Sequence, residues 1–191
     1  MAETFLNNID TAKIDKLKCQ TEINVQYFNN ACADVVKKYS QALDDLMKEI
    51  YVVCVKNEDT SLENLEKYYL ELSNMIYFMN EKVEQLGVYA DMSSSASKEV
   101  FSKSYIAYSS NKDVEGKSKT TVKENEAKAS LDAQYEEVVA NIYDRAYKIV
   151  KNKVSSGQDL CNCLRKIISS RMAEMQLSLY APKGNSVEQE D

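Results

Sequence analysis

The sequence predicts an all-α protein, an elongated bundle of long helices packed as an antiparallel coiled coil. Three observations carry this expectation. Glycine occurs 4 times and proline once in 191 residues, where average usage gives roughly 13 and about 10, so the tight turns of a sandwich or barrel lack residues to build them. Apolar side chains recur at steps of three and four over long stretches, the spacing of one helix face. Hydrophobic residues make up 44% of the chain, enough to bury such faces and to exclude a wholly disordered chain.

The first helix is expected from near Ile9 to about Asn57. Phe28, Cys32, Val35, Tyr39, Leu43, Leu46, Ile50 and Val53 form its stripe; Ile14 and Leu17 extend it upstream, where Thr21 and Asn24 interrupt it. A hinge, Glu58 to Ser61, then carries a helix-start signal: Thr60 and Glu63 have the spacing of a capping box. The second helix has a strict heptad register, Leu62, Leu65, Tyr69, Leu72, Ile76, Met79, Val83 and Leu86, which marks it as a packing or oligomer stripe. Gly87 follows where a left-handed C-cap glycine belongs, so the second helix is expected to end there and to fold back on the first.

After Gly87 the serines 93–95 and 97 read as a polar break before a shorter helix bearing Val100, Phe101, Tyr105 and Tyr108. Residues 1–110 therefore form a helical hairpin plus a short helix. Residues 111–121 read as a charged linker. Its Gly116-Lys117-Ser118 lacks the upstream glycine and buried strand of a phosphate-binding loop. Thr121 and Glu124 form a second capping box opening a long helix over 122–180, with the stripe Leu131, Tyr135, Val138, Ile142 and Ile149, widened by Val139, Tyr143, Ala146 and Val150. The stripe resumes at Leu160, Leu164, Ile167, Arg171 and Met175, and Gly157 between them is a place for a kink. Such a helix of about sixty residues would span on the order of 90 Å and must pack on a partner. Residues 181–191 read as a disordered acidic tail.

Composition narrows the function classes. There is no histidine for a catalytic triad, no nucleophile elbow and no glycine-rich turn, and the carboxylates sit at helix-surface spacing, so a non-enzymatic protein is expected. Five cysteines are an odd number, scattered except for Cys161 and Cys163, whose i,i+2 spacing is poor for chelation on a helix. No cofactor or metal is expected. The longest apolar stretch, near Val52 to Val55, falls far short of the roughly 18–20 residues of a membrane span, so a soluble cytoplasmic chain with no membrane partner is expected.

The net charge of -6 hides an asymmetry. Between Asn141 and Arg171, seven basic residues (Arg145, Lys148, Lys151, Lys153, Arg165, Lys166 and Arg171) face two acids, Asp144 and Asp159, a local +5 that leaves -11 elsewhere. This block can meet acidic surface of the same assembly, an acidic partner protein, or the phosphates of nucleic acid. Tyr39, Tyr69 and Tyr135 fall on the stripes and read as core. Tyr143 and Tyr147 alternate with the cations; they are either core or stacking faces of a single-strand groove.

The order of parts resembles the UvsY-like recombination mediators of tailed phages: an apolar helical stretch, a tyrosine-rich segment (Lys98 to Tyr108), a lysine-bearing linker (Lys112 to Lys123), and a final helix with the basic block Arg145 to Arg171. The resemblance spans roughly Leu62 to Leu179, with an acidic balance and a longer first helix as departures. It implies a homo-oligomer, in the host cytoplasm if phage-encoded, that binds single-stranded DNA through the seven cations with Tyr147 as stacking face and helps load a recombinase. A helical structural or adaptor protein acting on a host or virion protein is the alternative.

Overall fold

A computed structural model of the chain describes residues 11–56, 60–110 and 121–180; of these, the side chains of residues 11, 12, 14, 55 and 56 lie outside the description. The regular elements are all α-helices: α1 (Thr11–Lys56), α2 (Leu62–Ser109), α3 (Val122–Asp132) and α4 (Gln134–Tyr180). The fold is all-α, as expected. The expected ends of the first helix, the linker to residue 120 and the acidic tail lie outside the described residues. The chain divides into two compact units, one from Met1–Gln41 with Lys82–Lys151, the other from Ala42–Glu81 with Asn152–Asp191.

The second unit is a three-helix core built on large side chains. Leu43, Leu46 and Ile50 of α1, Leu65, Leu72, Ile76 and Met79 of α2, and Val154, Cys161 and Leu164 of α4 are buried. Here α1 and α2 run antiparallel: the Tyr68 hydroxyl donates to Glu49 over 2.8 Å, and Leu43 and Ile76 meet at the same glycine of α4. The α4 piece runs parallel to α1, since Lys153 pairs with Asp44 and Arg171 donates to the Thr60 carbonyl. The heptad stripe of α2 therefore lies in an intrachain core, which answers the need that its register raised for a partner. Truncating one of its fully buried leucines to alanine costs about 2–5 kcal/mol.

The first unit packs smaller residues. Cys32, Val36 and Ser40 of α1, Val83, Leu86 and Ala90 of α2, Ala129 of α3, Ala133 at the junction, and Ala146 and Val150 of α4 are buried. The α2 and α4 pieces are antiparallel: Tyr89 stacks on Tyr143, and Gly87 lies against the Tyr147 ring.

Four expectations need correction. First, α2 does not end at Gly87 but continues for 22 residues to Ser109, and Gly87 has no left-handed backbone. The stripe does not stop; it changes size. Ala90 is buried, and Ser93, Ser94, Ser97, Val100, Phe101, Ser104, Tyr105 and Tyr108 are half-buried at helical spacing, so serines fill positions where a neighbouring helix comes close. Secondly, α2 starts one residue later than a Thr60 cap requires. Ser61 Oγ accepts from Asn64 N–H over 3.3 Å, while the buried Thr60 hydroxyl donates to the Val53 carbonyl over 3.2 Å. Thirdly, the last helix is interrupted at Ala133, where ψ is 0° and the N–H bonds the Ala129 and Leu131 carbonyls. Gly157, by contrast, neither breaks nor interrupts α4. Fourthly, the stripe read at the start of the last helix is largely on the surface: Leu131 is 68%, Tyr135 76% and Val138 42% exposed. The buried line there is the alanine row 129, 133 and 146, whose small side chains carry too little hydrophobicity to mark a face.

The second predicted capping box is present at α3. Thr121 Oγ1 accepts from Glu124 N–H over 3.3 Å, and Glu124 Oε2 accepts from Thr121 N–H over 2.8 Å. The backbone hydrogen bond from Thr121 holds the Glu124 carboxyl below its ordinary value.

Candidate interaction surfaces

The eight residues expected to bind nucleic acid divide between the units. Arg145, Tyr147, Lys148 and Lys151 belong to the first, Lys153, Arg165, Lys166 and Arg171 to the second. In the second unit two of the four cations are engaged by the fold. Lys153 forms a half-buried ion pair with Asp44, and the half-buried Arg171 guanidinium donates to the Thr60 carbonyl where the α1–α2 connection returns. Arg165 and Lys166 are exposed, with Arg165 donating to Asn162 over 3.3 Å.

In the first unit, Arg145, Lys148 and Lys151 follow one another at i,i+3 on the exposed side of α4. Lys148 pairs with Asp144 over 2.7 Å. Lys151 sits over the Tyr147 ring, 5.5 Å from its centroid, and donates to its hydroxyl over 3.4 Å. One face of Tyr147 is thus taken by Lys151 and an edge by Gly87, whose absent Cβ would lie 3.3 Å from the ring. The more open aromatic pair is Tyr89 on Tyr143, with centroids 5.8 Å apart and planes at 24°. Burial raises the nearby Tyr39 hydroxyl above its ordinary value, and the Tyr89 and Tyr143 hydroxyls push it the same way. Tyr89 escaped sequence reading because it follows Gly87, where the helix was expected to stop.

A second surface of the first unit is apolar. A cleft of about 780 Å³ opens between α1 and α4, lined by Thr21, Val25, Tyr27, Phe28, Val138 and Ile142, among others. On the α1 wall every side chain from Asp15 to Tyr27 is exposed, although this stretch is helical; burial begins at Phe28. Beyond the other wall lie the exposed Leu131 and Tyr135. Val25, three residues before Phe28, has the stripe's spacing but is missing from the expected stripe, whereas Tyr27 stands off the α1 stripe, where periodicity could not find it.

Cys161 is buried and Cys163 exposed, so the two thiols face different surroundings. Burial pushes the Cys32 and Cys54 thiols up, partly opposed by the Arg145 and Arg171 charges. Among the described residues no group of acids and cysteines is placed to hold a metal ion, and no helix is long and apolar enough to cross a membrane. No family model matches the chain, and no curated protein or solved structure shows significant similarity to it.

Proposed function

We propose that this is a non-enzymatic, cytoplasmic helical protein that acts through protein–protein contacts, as an adaptor or structural component. The observation that carries this reading is the apolar cleft between α1 and α4, continuous in sequence with a bare helical stretch on one wall and with Leu131 and Tyr135 on the other. Contiguous exposed apolar surface of this kind marks interaction sites. A photo-crosslinking residue at Tyr135, with a control at the exposed Lys67 of α2, tests it in the native cell. A covalent protein adduct specific to position 135 is expected; no adduct there, or equal labelling at both positions, refutes the reading.

The mediator reading, single-stranded DNA and recombinase binding, keeps one specific observation in its favour. Arg145, Lys148 and Lys151 line an exposed side of α4 in the same unit as the stacked Tyr89 and Tyr143, and cations beside aromatic faces suit a single strand. With Lys153 and Arg171 engaged, Arg165 and Lys166 are the exposed cations of the block in the second unit. Anisotropy of a labelled single-stranded oligonucleotide, with a duplex control, decides it: preference for the single strand, falling steeply with salt and lost in an Arg145→Glu/Lys148→Glu/Lys151→Glu variant, supports DNA binding. Absence of binding at low salt removes it.

A further inference from the structure

The end of the first unit is held differently from its middle. In the middle, Leu86 of α2 and Ala146 and Val150 of α4 are fully buried. What α3 buries instead is one amide and one methyl group, those of Asn125 and Ala129, while its larger apolar residues, Val122 and Leu131, are exposed. Its fastenings to α2 are polar. The Tyr108 hydroxyl donates to Asp132 Oδ2 over 2.8 Å, Lys128 Nζ stands 5.8 Å from the centre of the same ring, and Asn125 Nδ2 donates to Ser109 Oγ over 3.5 Å. The Tyr108–Asp132 bond lies at the surface, where water replaces it at little net loss. A segment with little buried apolar surface and solvent-accessible hydrogen bonds belongs to the low end of a protein's local stability.

We propose that α3 is a latch on the end of α2: it releases as a unit, pivoting at Ala133, while the rest of the first unit stays folded. The pivot is written in the backbone. Ala133 interrupts the helix at φ -89° and ψ 0°, and its N–H is shared between the Ala129 and Leu131 carbonyls. No glycine or proline lies between Val122 and Asp144 to fix that break. It is held by the packing on either side, and a few residues there can absorb a change of angle. Space is present as well. A cleft of about 420 Å³ opens between the pivot and α2, lined by Ser97, Phe101, Ser130, Ala133 and Glu137 among others. With eleven residues, α3 is too short to stay helical alone in water, so release and melting go together. Release takes α3 off Tyr108 and opens the wall beside Phe101, whose ring stacks on Tyr105. Latched, the aromatic row Phe101, Tyr105 and Tyr108 of α2 is half-buried; released, it is presented to solvent.

Hydrogen exchange of the full-length protein, read by peptide mass spectrometry over a series of urea concentrations below unfolding, tests this. Amides of Val122–Asp132 are expected to exchange through an opening with little urea dependence. Those of Val83 to Ala90, where Val83, Leu86 and Ala90 of α2 are buried in the same unit, should exchange later and with the urea slope of global unfolding. Tyr108→Phe and Asp132→Asn each remove the same surface hydrogen bond. Each should speed exchange in α3 by about two- to tenfold and leave Val83 to Ala90 unchanged. The chain has no tryptophan, so Tyr105→Trp supplies a single reporter on the aromatic row, and its quenching by acrylamide should rise when Asp132→Asn is added. Exchange of α3 at the rate and urea slope of Val83 to Ala90 overturns the proposal. So does acceleration of both stretches together, or a reporter whose quenching Asp132→Asn leaves unmoved.

Discussion

Replacing Gly157 with alanine should stabilise this protein. Gly157 lies in the interior of α4 and is buried between α1 and α2 in the second unit. An added Cβ would stand 3.5 Å from Ile76 Cδ1, Ile76 Cγ1 and Leu43 Cδ1, which is ordinary van der Waals contact, and the backbone there is not left-handed. Alanine is favoured over glycine by about 1 kcal/mol in a helix interior, and burying one carbon group adds up to about 0.8 kcal/mol. The expected gain is therefore about 1–2 kcal/mol, read as a higher urea midpoint with an unchanged slope in the helical dichroism signal. Gly87 supplies the control. Its Cβ would meet Tyr147 Cε2 at 3.3 Å, so the ring must yield by a few tenths of an ångström, and the same propensity gain is offset to near zero. A Gly157→Ala variant destabilised by about 1 kcal/mol or more would mean that the three helices are closer than described, or that α4 is broken there, and would refute the reasoning.

Other perturbations test the electrostatics. Lys153→Ala removes the partner of Asp44 at a site where both side chains are about 30% exposed. It is expected to lower stability by about 1 kcal/mol, against less than about 0.5 kcal/mol for Lys166→Ala at an exposed position, both measured by urea unfolding. The α3 cap predicts a pH dependence. Because the folded-state value of Glu124 is depressed, its contribution is present above the ordinary carboxyl value and is lost as pH falls through the folded value. Thr121→Ala removes the hydroxyl that accepts from Glu124 N–H and should cost the helix about 1 kcal/mol, yet it keeps the backbone N–H that donates to the Glu124 carboxylate, so most of the depression of Glu124, followed by carboxyl NMR, should remain. A Glu124 carboxyl that titrates in the ordinary range in the unaltered protein would show that the box does not persist in solution.

The parts legible in the sequence are those written in large apolar side chains and in local hydrogen bonding. Leu43, Leu65, Leu72, Met79 and Leu86 lie on the predicted stripes and are fully buried. The Thr121–Glu124 box was readable because its two partners are three residues apart. What failed involved small residues. Ser93, Ser94 and Ser97 look like a break and Gly87 looks like a cap, yet both continue a helix whose neighbours approach closely. Conversely Leu131 and Tyr135 look like core and face outward, because Ala129 and Ala133 occupy the inward line.

The candidate surfaces divide in the same way. The clustering of cations between Arg145 and Arg171 is a property of sequence. That Lys153 and Arg171 are held by Asp44 and the Thr60 carbonyl, while Arg145 and Lys151 remain outward, depends on partners more than a hundred residues away. Composition and periodicity were sufficient for an all-α chain of long helices, because helix formation and amphipathicity are encoded within a few turns. Which stripe is inside, which cation is occupied and where an apolar cleft stays open were settled by tertiary packing, because burial depends on what the rest of the chain brings alongside.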